Sequence, residues 1–487
     1  MQSFFANQSC DPFSDRSLPC TLGNYVSYSV KATEHWDVIA ALEFAKTNNI
    51  RVLVRNTGHD FLGRSTGAGA LAIWTQNLKN ITFGTWSDNS YTGPSVTVGA
   101  GTLGYEVLEA AHAKGLTVVS GECATVGLAG GFTQGGGHSA LSTAFGLAAD
   151  QTLAFDVVTA NGDIVTASTT ENSDLYWALS GGGGGTYGVV VSLTVRAYEA
   201  KPVGGAAMQL LASSTTPEKF AAAIQKFHEL MPAMIDAGAM VVFLQSKQYL
   251  VLKPVTVWDS NATHVKEAVL APFAKALVDL GITPPIVYSS LSYRDHYDRY
   301  MGPLPRGSFE VNRYQFGGRL IPRSVATERS ADLQKVYSDL VTSGVLIAGS
   351  SANYAKRSNV PDNAVLPAWR NTITQLQLIT NWDSNEPWSN MVAAQKRMTE
   401  EFMPKIEVVT PGSGSYMNEA DFRQERWEDV FFGSNFGRLG AIKRKYDPEN
   451  VFYVLKGVGS DAWSVDAGGR MCRAGPGPGP GPKPKIP

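Results

Sequence analysis

Arg55-Asn56-Thr57-Gly58-His59-Asp60 and Gly121-Glu122-Cys123-Ala124-Thr125-Val126-Gly127 decide how this chain is read. Each sets one nucleophilic side chain, His59 or Cys123, inside a turn of small residues. No bulky side chain intervenes there, so main-chain amides can approach an anionic or planar ligand closely. The second turn runs on into a glycine-rich segment from Gly130 to Gly137. Upstream of the first, residues 34–49 carry a helical pattern, and Ile50 to Val54 reads as a short buried strand that delivers His59.

Further out, Leu71 to Trp74, Ser95 to Val98 and Thr117 to Val119 read as strands, with Leu103 to Lys114 helical between the last two. Ala160-Asn161-Gly162-Asp163 lies between the apolar runs Phe155 to Thr159 and Ile164 to Thr166, a hairpin signal because Asn-Gly readily adopts positive φ. Ser173 to Leu179 reads as a helix, followed by five glycines, 181 to 185, and the strand Val189 to Val195. At Lys201-Pro202-Val203-Gly204-Gly205 the texture changes, and this stretch reads as a linker into a second domain. There, helices such as 217–231 and 387–403 mix with strands such as Met240 to Leu244 and Thr372 to Thr380, which fits helices covering one face of an antiparallel sheet. Trp427 to Phe452 reads as a helix carrying Arg438 to Lys443, with Lys445 to Asn450 as a turn. Beyond Cys472 the Gly-Pro repeats cannot bury a core and are expected to be disordered.

A chain of 487 residues exceeds what one hydrophobic core usually supports, so two large domains are expected, and an apolar fraction of 44% is ample for both. With 41 Lys and Arg against 43 Asp and Glu, and no basic run, nucleic acid is not expected as a partner. No stretch of 18 or more apolar residues occurs, so no membrane span is expected either. Cys10 and Cys20 lie in a Pro-, Ser- and Asp-rich segment and could close a small disulfide loop; the alternative is a pair of reduced cytosolic thiols. Sequons at Asn7, Asn80 and Asn261 fit N-glycans on a secretory protein. Met1-Gln2-Ser3-Phe4-Phe5 lacks the basic start and apolar core of a signal peptide, so a secreted protein is expected with its signal already removed.

Several chemistries fail on order or spacing. A dinucleotide-binding loop follows a strand and opens a helix, whereas glycines 181 to 185 follow a helix and precede a strand; they read as a ligand-contacting turn. Gly137-His138-Ser139-Ala140-Leu141 lacks the closing glycine of a nucleophile elbow. No Cys-x-x-Cys or His-x-x-x-His pair supplies two metal ligands from one turn, so no metal is expected.

Five motifs in order resemble the vanillyl-alcohol-oxidase type flavoproteins, and within them the berberine-bridge-enzyme-like branch of alcohol and oligosaccharide oxidases. They are Arg55 to His59, Gly121 to Gly127, Gly-Gly-Gly-His-Ser at 135–139, Gly-Gly-Gly-Thr-Tyr-Gly-Val at 183–189, and Tyr416-Met417-Asn418-Glu419-Ala420-Asp421. The resemblance covers nearly the whole chain. It implies an α+β protein with a two-lobed PCMH-type FAD-binding domain and a substrate domain whose antiparallel sheet is covered by helices. The implied division is 1–200 for the FAD-binding domain, 201–415 for the substrate domain, 416–470 for a segment returning to the first, and 471–487 for a disordered tail.

It further implies FAD bonded twice, through His59 and through Cys123. Arg55 to Asp60 would supply donors to the pyrophosphate, with Gly121, Thr125, Gly127, Gly130, Gly131 and Gly137 allowing close approach at the second loop. Gly185, Thr186, Gly188, Val189 and Val190 would run beside the adenine or ribitol, and Val126 would stand where oxygen is admitted. Tyr416 is the implied catalytic base, with Asn418 fixing the strand or the ring. An isolated tyrosine is a poor base near neutral pH, so a partner that stabilises the phenolate is required. His138 either packs near the flavin ring or polarises a substrate hydroxyl, and Glu419 is expected to face solvent. Thr372 to Leu378 would present one apolar face and one face of Thr and Gln.

The implied activity is a secreted oxidase that takes a hydride from an alcohol or sugar hydroxyl and reduces O2 to hydrogen peroxide. Two alternatives stand beside it: a biosynthetic oxidase that forms a ring or a double bond in a secondary metabolite, and a flavin-carrying binding protein without turnover.

Overall fold

The computed structural model describes residues 2–10, 12, 15–307, 313–466 and 470–474. Its first lobe begins with a three-stranded parallel sheet in the order Tyr28–Lys31, Leu71–Trp74, Val52–Arg55. The helix His35–Thr47 carries the chain from one edge strand, Tyr28–Lys31, across the sheet to the other, Val52–Arg55, so that both run parallel to the central Leu71–Trp74. Its buried face, Val38, Ala41, Leu42 and Ala45, packs with Val52, Leu71 and Ile73. Beside it lies a five-stranded antiparallel sheet in the order Ile81–Ser87, Thr92–Gly99, Val189–Arg196, Thr152–Val158, Ile164–Ser168.

The Asn161-Gly162 hairpin forms, but only Gly162 takes positive φ (+88°). Its amide donates to the Thr159 carbonyl at 3.0 Å, and Thr159 donates in turn to Asp163 at 2.9 Å. One residue of slack is therefore absorbed by the glycine, as in a three-residue hairpin loop.

The second lobe is built on a seven-stranded antiparallel sheet in the order Ile286–Leu291, Val203–Leu211, Tyr249–Trp258, Ala239–Gln245, Leu346–Ser351, Thr372–Asn381, Tyr314–Pro322. Helices Pro217–Asp236, Ala271–Asp279, Ser330–Thr342 and Met403–Val409 bury one face of it. Thr216 starts the first of these by accepting the Lys219 amide, with Pro217 at the first helical position, where its missing N–H costs nothing. The opposite face meets the first lobe through Tyr416, Trp369, Tyr354, Leu320, Tyr293 and Tyr297.

Three sequence expectations need correction. The expected linker is a strand from Val203 onward: Gly204 pairs with Val257 and Ser290, and Gly205 with Thr256 and Ser289. A Cβ on Gly205 would lie 2.7 Å from His296 Nδ1, and one on Gly204 2.7 Å from the Asn261 carbonyl oxygen, so these glycines serve close packing rather than flexibility. The expected helix Trp427 to Phe452 is two helices, Trp427–Phe431 and Phe436–Tyr446, broken at Gly433 (φ +55°). Met471–Arg473, expected at the head of a disordered tail, pairs antiparallel with Trp463–Val465; residues 475–487 lie outside the described residues.

Cys10 and Cys20 are disulfide-bonded, Cys472 is free and exposed, and Asn7, Asn80 and Asn261 are exposed. Among the described residues no helix is long and apolar enough to cross a membrane, and no group of His, Cys, Asp or Glu could hold a metal ion.

Candidate active site

The two turns read first in the sequence meet in space. Strand Val52–Arg55 ends at the first, where the chain reverses through Gly58 (φ +86°), over the Arg55 guanidinium. The second is tied to the start of helix Gly104–His112: Gly104 donates to Val126 O at 2.8 Å and Tyr105 to Ala124 O at 2.9 Å. Two otherwise orphaned helix amides thus fix the loop that carries Cys123. His59 Nε2 then lies 2.8 Å from Thr125 Oγ1, and Cys123 Sγ lies 3.7 Å from the same oxygen. Burial pushes the His59 imidazole down to about 4, so it is neutral at pH 7.

The main-chain amides of Thr57, His59 and Asp60, and of Ala124 and Thr125 in the facing turn, donate to no described residue. Amides left unpaired in turns of this kind suit an anionic ligand. A neutral imidazole and a thiol beside them are side chains able to act as nucleophiles toward such a ligand. The residues present therefore fit a flavin held by backbone donors and bonded at His59 and Cys123.

Across from these turns, loops distant in sequence build a polar cluster. Nε2 of His138 lies 3.2 Å from Glu419 Oε2, and Nδ1 lies 3.4 Å from Glu122 Oε1. Burial alone lowers the His138 pKa, but the charge of Glu419 and hydrogen bonds to Glu122 and Glu419 outweigh it and carry the ring up to about 10. His138 is an imidazolium held between two carboxylates. Gln377, on strand Thr372–Asn381, donates to Glu419 Oε2 at 2.5 Å. Glu419 thus points inward, correcting the expectation that it faces solvent.

Tyr416 is buried beside this cluster, its ring 5.6 Å from that of His138 and 5.4 Å from that of Trp369. Asn418 Nδ2 donates to its hydroxyl at 2.8 Å and to the Gly131 carbonyl at 2.6 Å. Gly135 permits that approach, since a Cβ there would fall 2.5 Å from Asn418 Nδ2. Burial raises the Tyr416 pKa and the nearby Glu419 charge adds to it, against the donors from Asn418 and Gly137. The partner that a Tyr416 base would require is not supplied by Glu419, whose charge disfavours the phenolate, and the side chain stands here as a neutral phenol.

Other anticipated site residues fall into distinct roles. Asn56 turns inward, donating to Thr75 Oγ1 at 3.0 Å and to Ala100 O at 2.6 Å, and it packs against Gly127 and Gly130. The Asp60 carboxylate accepts from Leu62 N and Arg64 N and so shapes its own turn. Gly121 O accepts from Tyr297 on the substrate-lobe helix Tyr293–Met301 at 3.0 Å. Gly137 (φ +70°) packs against Ala148 and Phe132. Gly184 packs on Gly131, which brings the five-glycine turn, Gly185 (φ +69°) included, against the second loop. The Thr186 carbonyl accepts from buried Lys443 at 2.7 Å.

Gly188, Val189 and Val190 turn their side-chain positions into the core of the first lobe. Both valines are buried in apolar clusters and paired with Val158 and Val157, and a Cβ on Gly188 would meet Val157 Cγ1 at 2.5 Å. Gln377 lies on the strand expected to present Thr and Gln to the site, whereas sequence reasoning missed Glu122 and Tyr297. Glu122 adjoins Cys123 and was open to notice, but Tyr297 reaches the site only through tertiary packing.

Similarity to known proteins agrees with this geometry. The family model described as FAD binding domain matches residues 26–168, and the one described as berberine and berberine like matches residues 415–459. The chain is 48% identical over 475 residues to the FAD-linked oxidoreductase ZEB1 of Gibberella zeae, covering 97% of this chain and 83% of that one. It is 40% identical over 477 residues to the bifunctional decalin synthase calF of Penicillium decumbens, covering 96% and 82%. The crystal structure of the VAO-type flavoprotein MtVAO615 from Myceliophthora thermophila C1 superposes with a TM-score of 0.93 at 40% identity, covering 97% of this chain and 87% of that one. With an FAD-binding domain that carries His59, Cys123 and His138, and a berberine-like segment that carries Tyr416 and Glu419, the chain belongs to the FAD-linked oxidoreductases of the vanillyl-alcohol-oxidase and berberine-bridge-enzyme type.

Proposed function

We propose that the chain is a secreted oxidase that takes a hydride from a carbon bearing a hydroxyl group and passes the electrons to O2, giving hydrogen peroxide. The observation that carries this reading is the Glu419 carboxylate, turned inward against His138 and Gln377 beside the buried Tyr416 ring. An alcohol releases hydride only when its hydroxyl proton leaves with it or before it, so a proton acceptor must lie within hydrogen-bond reach. FAD, when bound through His59 and Cys123, supplies the hydride acceptor. Tyr416, whose oxygen already accepts from Asn418, donates a hydrogen bond to the substrate oxygen and keeps its proton, and Glu419 accepts the proton that the substrate hydroxyl gives up. His138, held as an imidazolium, hydrogen-bonds that carboxylate and fixes its position. Gln377 orients the carboxylate, and Trp369 and Tyr354 line the apolar side.

Secretion is supported by the Cys10–Cys20 pair and by the exposure of Asn7, Asn80 and Asn261, where glycans would be carried. Anaerobic mixing with a panel of alcohols and oligosaccharides tests the reading. Bleaching of the flavin, followed by one peroxide per flavin on readmitting air, supports it; a flavin that no hydroxyl compound bleaches sinks it.

A second reading is favoured by the decalin synthase relative. Here the same site would remove a hydride during formation of a ring or a double bond in a secondary metabolite. It is distinguished by a product two hydrogens lighter that has gained no carbonyl.

A further inference from the structure

Thr125 stands between the two nucleophiles. Its hydroxyl oxygen is 2.8 Å from His59 Nε2 and 3.7 Å from Cys123 Sγ, although His59 and Thr125 are 66 residues apart in sequence. Nε2 is the ring nitrogen that meets the Thr125 hydroxyl, and the Thr125 main chain also hydrogen-bonds the His59 ring. A neutral imidazole carries one proton. If that proton sits on Nε2 and is donated to Thr125, the Nδ1 lone pair is free to form a bond; if it sits on Nδ1, the nucleophile is blocked. The Thr125 hydroxyl, having accepted from His59, can direct its own hydrogen only elsewhere, and the sulfur of Cys123 lies within the longer reach of a hydrogen bond to sulfur.

We propose that Thr125 is a positioning residue for both flavin attachments, its single hydroxyl selecting the reactive His59 tautomer and carrying protons away from His59 and Cys123. The proposal rests on the bicovalent reading above. In each attachment one N–H of His59 or S–H of Cys123 is lost together with one C–H of the flavin, and a C–N or C–S bond forms. The two hydrogens, with two electrons, leave on O2 as hydrogen peroxide. For His59 the departing proton is the one on Nε2, and the route recorded for it is Thr125. The two attachments are therefore linked: the same hydroxyl serves both, and removing it impairs both.

The test uses full-length holoprotein of wild type, Thr125→Val and Thr125→Ser, denatured, digested with pepsin and analysed by mass for flavin on the His59 and Cys123 peptides. Wild type is expected to carry flavin on both. T125V is expected to fall at least tenfold in flavin on the Cys123 peptide and several-fold on the His59 peptide while retaining noncovalent FAD, and T125S is expected to keep both bonds. Thr125→Ala replaces T125V if the valine variant does not fold. T125V with both bonds at wild-type yield overturns the proposal and leaves the bicovalent reading standing. T125S losing both bonds assigns the effect to packing of the threonine methyl and also overturns it. Wild type with flavin on neither peptide overturns the bicovalent reading and the proposal together.

Discussion

His138 Nε2 lies 3.2 Å from Glu419 Oε2, a contact between residues 281 positions apart that joins the glycine-rich loop of the first lobe to the C-terminal segment. With Glu122 3.4 Å from the other ring nitrogen, the imidazolium has a carboxylate on each side.

Glu419→Gln should lower the rate of anaerobic flavin reduction by about 100-fold or more, the scale of a lost general base. Tyr416→Phe should cost less, because it removes a hydrogen bond to the substrate oxygen and leaves the acceptor in place. Stopped-flow reduction with any alcohol that bleaches the wild-type flavin decides the order of the two effects, and the reverse order would return the base to Tyr416.

His138 also sets an alkaline limit. Its pKa is raised from the ordinary histidine value to about 10 by Glu419 and Glu122 against the burial of the ring. A raised folded-state pKa contributes stability that is fully present below about 6.5 and is lost as the pH climbs through about 10. Melting temperature should therefore decline between pH 7 and pH 10, and His138→Gln should flatten that decline.

The acid side carries the opposite sign. Burial lowers His228 to about 4 and His296 to about 3, each as a neutral ring bonded to Gln245 or Thr256. The unfolded chain binds protons at these rings first, so stability present above about 6.5 falls as the pH drops toward 4 and below. Thermal melts of His228→Asn and His296→Asn between pH 7 and pH 4 should show a shallower loss than wild type.

Lys443→Met should cost about 3–5 kcal/mol in urea unfolding, because Asp447 would be left as a buried charge without its partner. The ammonium is buried, 2.6 Å from Asp447 Oδ2, and it also donates to the Thr186 and Phe452 carbonyls. A Lys443→Met, Asp447→Leu double variant should recover part of that loss.

Gly188→Ala separates packing from ligand contact. Its Cβ would press on Val157 at 2.5 Å, so a loss of about 1–3 kcal/mol is expected. The flavin absorbance of the folded fraction should be unchanged; a shifted spectrum would place Gly188 at the cofactor site.

The turns that hold His59 and Cys123 were legible because each motif is local: its glycines and its nucleophile lie within a few residues. The helix-covered antiparallel sheet was legible for the same reason, from the period of each segment. What joins them was not. Nothing near Glu419 in sequence announces His138 or Gln377, and a glutamate after Tyr-x-Asn reads as an ordinary surface residue until the fold buries it. Gly204 and Gly205 misled in the opposite way. A glycine pair after Lys-Pro has one appearance whether it bends freely or admits a neighbour, and only the helix Tyr293–Met301 packed on it reveals which.

That strand junction bears on how the enzyme must breathe. Val203 enters the seven-stranded sheet directly after Pro202 and is paired on both sides, while Tyr198–Glu199 pairs with Leu116–Thr117 of the first lobe, so any give along this crossing is confined to Ala200, Lys201 and Pro202. The Tyr297 hydroxyl latches the same lobe to the Cys123 loop. A jaw-like opening would have to break that latch, so any swing of the second lobe pulls directly on the loop that carries Cys123.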